Sequence, residues 1–389
     1  MLARPRAIAR LTASVGRSPV TALLGPRQCG KTTLASAFGE SRRAARFDLE
    51  SPVDRQRLQN PEMVLGALTG LVVLDEIQAM PELFAVLRVL VDRPGSQTRF
   101  LVLGSASPGL VKGASESLAG RIEFVELGGF DLSEVKASSL DWLWLRGGFP
   151  RSFLAKSDED SSAWRDGFVR TFLERDIPQL GIALPAPTLR RFWTMLAHYH
   201  GQTWNASALS RSMGVSDKTV RALLDVLTGT YMVRQLLSWH ANVAKRQVKS
   251  PKIYLRDSGL LHALLSIPDR DALWSHPAVG ASWEGFALEQ VLRAVRPGEP
   301  YFWATHNGAE LDLLFVHRGV RFGVEFKFSE APAATRSMHV AIADLGLTHL
   351  WVVYPGREAF PIASRLSAWP LVDVPRLPAE LEARSREGR

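Results

Sequence analysis

The run Gly25-Pro26-Arg27-Gln28-Cys29-Gly30-Lys31-Thr32-Thr33 follows a short apolar stretch and carries the spacing G-x-x-x-x-G-K-[ST]. Glycines bracketing such a loop let backbone N–H groups close on phosphate oxygens. A helix starting near Lys31 adds the positive end of its dipole. Lys31 is placed to reach the β and γ phosphates, and the Thr32 hydroxyl to supply a ligand to Mg²⁺. The whole loop is therefore the expected binding site for Mg·ATP.

A second run, Leu71-Val72-Val73-Leu74-Asp75-Glu76, is an apolar strand ending in two carboxylates. Asp75 is placed to hold Mg²⁺ through water, and Glu76 to polarise the attacking water. With both runs present, the expected chemistry is hydrolysis of the triphosphate and not binding alone. Ser105 ends another apolar run and either touches the γ-phosphate or lytic water, or simply caps the strand. Arg121, in Ser117-Leu118-Ala119-Gly120-Arg121, lies past the core strands. There it would reach a neighbouring subunit, and an arginine supplied across an interface is worth ~10³–10⁵ in turnover.

Nearer the C-terminus, Asp312 begins one strand of a hairpin, while Glu325 and Lys327 lie on one face of the next. Two carboxylates beside an amine suit a Mg²⁺-dependent phosphodiesterase, the acids holding metal and the lysine orienting water. Glu284, in the preceding helical stretch 282–295, is a further acidic candidate. The same residues also make an ordinary structural salt bridge, and spacing alone leaves both readings open. His198, His200, His262, His276, His306, His317, His339 and His349 have no metal-ligand spacing and read as structural.

These residues need elements to position them. Apolar runs at 20–24, 45–49, 71–74, 100–103 and 122–127 alternate with helix-length segments, predicting a parallel sheet with crossover helices. From 132 to 197 the pattern is helical. Segments 206–213 and 216–227 read as two helices joined at Gly214, followed by strands at 231–237 and 253–255. If Val220, Leu223, Leu224 and Leu227 face a core, Lys218, Thr219 and Arg221 point outward at the helix start. Recognition helices meet a major groove there. Lys245, Arg246 and Lys249 lie in the loop between the two strands and would complete a wing. Such modules also serve as protein-docking units. Strands at 301–304, 311–316, 321–328 and 350–354 form a last α/β unit.

The chain has 389 residues, 46% of them hydrophobic and 22% charged, enough apolar content for two or three domains. A formal net charge of +8 favours anionic partners such as nucleic acid. No apolar run approaches the roughly 20 residues of a membrane span, and the arginine-bearing first residues lack the apolar core of a secretory signal. Cys29 is the only cysteine, so no internal disulfide forms and a reducing, cytoplasmic setting is expected.

Read together, GPRQCGKTTL, LVVLDEIQ, GSAS and SLAGR resemble the prokaryotic AAA-type P-loop ATPases. In particular the chain is similar to the family joining such a domain to a C-terminal domain long without known function. LRGGFP at 145–150, RTFLERD at 170–176 and KSPKIYLRDSGL at 249–260 extend that likeness over nearly the whole chain. The resemblance implies Ser105 as first sensor, Arg121 as arginine finger, and a ring-like homo-oligomer such as a hexamer. Cys29 stands where a small aliphatic residue is expected, and could make the ATPase sensitive to thiol reagents. Asp312, Glu325 and Lys327 resemble the PD-(D/E)xK restriction-endonuclease-like superfamily, whose members often bind DNA without cutting it.

The expected fold class is α/β: a P-loop, AAA-type parallel-sheet domain at 1–131, a helical lid or connector at 132–195, a winged helix at 196–268, a PD-(D/E)xK-like α/β domain at 269–375, and a flexible tail at 376–389. The expected function is an oligomeric ATPase that remodels or moves on duplex or branched DNA, with no membrane partner. Two other readings stay open: an ATP-regulated, metal-dependent DNA nuclease or toxin, and a P-loop switch that binds a protein partner.

Overall fold

The computed structural model describes residues 2–105, 108–180, 184–239 and 250–387, with backbone alone at 105, 108–112 and 387. The chain divides into two compact units. One runs to Phe130 and takes in Asp225–Met232; the other comprises Asp131–Leu224 and the chain from Val233 onward. No helix among the described residues is long and apolar enough to cross a membrane.

The first unit is built on β1 (Val20–Gly25), β2 (Ala45–Asp48), β3 (Leu71–Asp75), β4 (Arg99–Ser105) and β5 (Ile122–Glu126). All pair in parallel, in the order β2-β3-β4-β1-β5. β1 and β3 are buried along their whole length, as inner strands covered on both faces must be. Val20, Ala22, Leu24, Val72, Leu74, Phe100 and Val102 pack into one core with Leu83, Leu87 and Leu90 of the helix Leu83–Val91. The order brings the carboxyl ends of β1, β4 and β3 side by side, where ligands of open parallel sheets bind.

The second unit holds a mixed sheet of β6 (Gln202–Thr203), β7 (Val233–Ser238), β8 (Lys252–Leu255), β9 (Tyr301–Ala304), β10 (Glu310–His317), β11 (Val320–Phe326), β12 (His349–Tyr354), β13 (Phe360–Ala363) and β14 (Leu366–Pro370). Their order is β13-β14-β12-β11-β10-β9-β7-β8-β6. β9, β10 and β11 run antiparallel to one another, β12 runs parallel to β11, and β7 is antiparallel to β8 yet parallel to β9. Trp303, Leu311, Leu314, Leu350 and Val352 share a core with Met338, Ala341, Ile342 and Leu345 of the helix Arg336–Leu345. The long helix Val279–Val295 packs on β11. Helices Ala206–Met213 and Asp217–Gly229 are capped by Asn205 and Ser216, whose side chains accept from the Ala208 and Thr219 amides at 3.0 and 3.1 Å.

Two of the quoted motifs, LRGGFP and the YLRDSGL portion of the third, pack against each other. Asp257 is half-buried and accepts from the amides of Gly148 (2.8 Å) and Leu260 (3.0 Å). Gly147 has φ +76°, and a Cβ there would collide with the Asp257 carboxylate. Arg165, fully buried, donates to the carbonyls of Leu145 (3.2 Å) and Gly259 (3.0 Å). These residues account for their own spacing by packing.

The charged tail, which the sequence allows to be flexible or a lone helix, is helical. Leu377–Glu387 is a helix packed on Val279–Val295. Leu377, Leu381 and Ser385, spaced at i, i+4 and i+8, are buried, an apolar stripe short enough to be hidden by the surrounding charges. β13 and β14 extend the sheet beyond the strands expected from the pattern.

Candidate functional site

β1 ends at Gly25, where a Cβ would collide with the Leu127 carbonyl; glycine alone lets the loop turn so closely. Gln28 and Gly30 adopt left-handed backbone, and the helix Lys31–Glu40 starts immediately afterwards. Lys31, buried, donates to the carbonyls of Gly25 and Pro26, both at 2.9 Å. Arg4 braces the loop through Cys29 O (3.1 Å) and Gly129 O (3.0 Å). The Cys29 thiol is buried, 3.3 Å from Leu127 O.

Asp75 is buried at the end of β3. Its Oδ2 accepts from Arg46 Nη2 at 3.0 Å and its Oδ1 from the Glu76 amide at 3.1 Å. Burial and the neighbouring Glu76 push the Asp75 carboxyl up, while Thr32 and Arg46 pull it down. Glu76 sits in left-handed backbone at φ 56°, a conformation costing on the order of 1–3 kcal/mol off glycine and concentrated at functional sites. Its carboxylate accepts from Gln78 Nε2.

The residues present fit Mg·ATP. The loop from Gly25 to Thr33 would hold the phosphates and Lys31 would exchange its two carbonyls for phosphate oxygens. Thr32 and Asp75 would hold the cation. Ser105 pairs with Gly25 across β1 and β4; its side chain lies outside the described residues. Arg121 Nε and Nη2 donate to Asp92 Oδ1 and Oδ2 at 2.7 and 2.9 Å.

A family model described as an AAA domain matches residues 17–136. Models described as domains of unknown function, DUF8612 and DUF4143, match 137–271 and 279–374. Uncharacterized protein Rv2008c of Mycobacterium tuberculosis and uncharacterized protein Mb2031c of Mycobacterium bovis are each 53% identical over 370 residues, 95% of this chain and 84% of theirs. The chain belongs to their family, and carries an AAA-type ATPase domain. Among solved structures, the Walker-type ATPase PABY2304 of Pyrococcus abyssi has a TM-score of 0.48 at 16% identity, covering 68% of this chain and 96% of that one.

In this ATPase, sequence reasoning missed Arg46. It lies in β2 opposite Val73, and only the strand register brings it to Asp75. A guanidinium on a metal-binding carboxylate competes with the metal. Half-exposed pairs of this kind are worth ~0.2–1 kcal/mol, so Arg46→Ala should lower the Mg²⁺ needed for half-maximal ATP binding by up to about fivefold. A Mg²⁺ titration with a fluorescent ATP analogue reads this; a raised requirement would instead make Arg46 a contributor to ligand binding.

Away from the nucleotide site, the ATPase chain brings its C-terminal candidates together. Asp312 Oδ2 accepts from the Phe326 amide at 3.1 Å, and Glu325 Oε2 from the Asp312 amide at 3.4 Å. Lys327 Nζ is 2.8 Å from Glu325 Oε1. Burial and the adjacent Asp312 push the Glu325 carboxyl up to about 8 and that of Glu284 to about 7. Between Glu284, Glu310 and Asp312 stands Lys252, which the sequence suggests only as one of the basic residues of the loop after 238 and which is instead buried in β8. Lys252 Nζ lies 3.4 Å from Glu284 Oε1 and 3.3 Å from Asp312 Oδ1, and against Glu310 Oε1. Tyr254 donates to Glu284 Oε1 at 2.6 Å. Among the described residues no group of three or more His, Cys, Asp or Glu is set to hold a metal ion, and this donor set does not fit one. A divalent ion bound at ~2.0–2.6 Å to Asp312 and Glu284 would have to displace the ammonium.

The remaining candidates are on the helix Asp217–Gly229, where Lys218 and Arg221 are exposed and Thr219 is half-buried. Lys245, Arg246 and Lys249 lie outside the described residues. His200 and His262 are buried, and desolvation lowers them to about 4 and 3, so both stay neutral.

Proposed function

We propose that this chain is an oligomeric ATPase that hydrolyses Mg·ATP to remodel or move on DNA. The observation carrying the reading is the buried Lys31, which donates to the Gly25 and Pro26 carbonyls of the loop, with Asp75 buried at the end of β3. On this reading Thr32, next in chain to Lys31, and Asp75 hold the cation at the mouth of the phosphate loop, and Glu76 primes the water. Arg121 acts on a neighbour's nucleotide after releasing Asp92, within a ring-like homo-oligomer such as a hexamer. Ser105 senses the γ-phosphate. The setting is the cytoplasm.

The DNA limb rests on two supports. The elements from 186 to 255 run helix, strand, two helices, then two antiparallel strands, the succession of a winged helix, with Lys218, Thr219 and Arg221 at the start of the groove-reading helix. The elements from 279 to 354 run helix, three antiparallel strands, helix, then a strand parallel to the third. That succession resembles the restriction-endonuclease-like fold, which supports a DNA-associated role more than cleavage.

The test is ATP turnover with single-stranded, duplex and four-way DNA. Stimulation by duplex or four-way DNA supports the reading; an equal rate on all three removes DNA and leaves the P-loop switch. Where DNA binds, Lys218→Ala with Arg221→Ala should weaken it evenly across sequences and reduce the slope of log affinity against log salt by about 2, roughly one per lost phosphate contact. Fluorescence anisotropy at several salt concentrations measures both, and an unchanged slope would move the contact elsewhere.

A further inference from the structure

We propose that Lys252 is the resident cation of the C-terminal carboxylate cluster, its ammonium keeping divalent metal out of the place between Glu284, Glu310 and Asp312. An ammonium has three N–H donors, and three carboxylate oxygens surround this one: Glu284 Oε1, Glu310 Oε1 and Asp312 Oδ1. No donor is left over, and no water is needed to complete the shell. Lys252 is only 5% exposed, and a buried ammonium is costly unless paired this fully. Burial alone would lower the Lys252 pKa, but Tyr254 and the carboxylates of Asp312, Glu284 and Glu310 raise it well above its usual value. The charge therefore persists at any physiological pH.

The oxygens a metal would use are committed elsewhere as well. Asp312 Oδ2 and both oxygens of Glu325 accept from the Phe326 amide, Lys327 and the Asp312 amide. Without Lys252, Asp312 and Glu284, whose side chains are only 9% and 21% exposed, would repel one another with little screening, and a divalent ion would be the natural replacement. Lys252 is delivered by β8, which pairs with β7 opposite Leu236, so the plug belongs to a different part of the sheet from the acids it neutralises. While it is in place, the cluster is silent towards metal-dependent cutting. The inference does not depend on the nucleotide reading.

The probe is Mn²⁺, titrated into the full chain without nucleotide, with the free ion read by electron paramagnetic resonance. Wild type and Asp312→Asn should take up the same amount, because the cluster binds none. Lys252→Met should take up one further ion per chain, lost again in the Lys252→Met, Asp312→Asn double variant. A folded Lys252→Met that gains no ion overturns the proposal, as does a wild type whose Mn²⁺ uptake falls on Asp312→Asn. If circular dichroism shows Lys252→Met unfolded, the wild-type and Asp312→Asn pair decides alone: equal uptake supports the plug, unequal uptake overturns it.

Discussion

Glu76→Gln should lower ATP turnover by about 10²–10⁴-fold, the range for removing a positioned general base, while ATP binding survives. The amide keeps the shape and the Gln78 contact but cannot draw a proton from water. Lys31, Thr32 and Asp75, the residues proposed to hold phosphate and cation, are untouched. The left-handed backbone at Glu76 fixes where the carboxylate stands, so a neighbouring acid cannot substitute for it. Turnover by a coupled assay and affinity by a fluorescent ATP analogue separate the two effects. Equal loss of binding and turnover would show that Glu76 holds the ligand and does not prime water.

Glu289→Ala should cost the protein about 3–5 kcal/mol, the range for breaking a buried ion pair from one side. Glu289 is 2% exposed. It accepts from Arg234 Nη2 at 3.1 Å and lies 3.5 Å from Arg256 Nε and 3.9 Å from Arg293 Nε. Removing the acid leaves three guanidinium groups facing one another around a void. At ~2–4 °C per kcal/mol, thermal melting should fall by roughly 6–20 °C, and a change under 2 °C would refute the assignment.

The same residue sets a pH dependence. Burial alone would raise the Glu289 carboxyl, but Arg234, Arg256 and Arg293 outweigh it and hold it at about 2, against an ordinary 4.5. A depressed acid stabilises the fold fully above about pH 4.5, and that contribution, about 3 kcal/mol, is lost as pH falls towards 2. Glu289→Gln, which has no such titration, should therefore lie furthest below wild type near pH 7 and approach it near pH 3. A gap of constant width from pH 7 to pH 3 would count against the arginine pairing.

The nucleotide site was legible because its chemistry is local. The loop from Gly25 to Thr33 and the strand end at Asp75 are each contiguous, and their glycines and carboxylates have few other uses. Arg46 was not legible, because its partner lies in the neighbouring strand and only β2–β3 register brings them together. The carboxylates Asp312 and Glu325 could be read from hairpin spacing, but the lysine that answers them is Lys252, some 60 residues earlier in chain. Whether the charged tail is flexible or helical was open from composition, because burial of Leu377 and Leu381 depends on a surface that the helix Val279–Val295 provides.

The pairing of β7 with β9, through Leu237 with Tyr301 and Ser238 with Phe302, limits how this protein can be cut apart. Severing the chain between Leu264 and Arg270 would look natural, at a short link between two helices. A fragment carrying only the later strands would present a bare row of amides and carbonyls along β9, open to self-association. Dissection aimed at the individual activities should therefore keep Val233–Ser238 with everything that follows it.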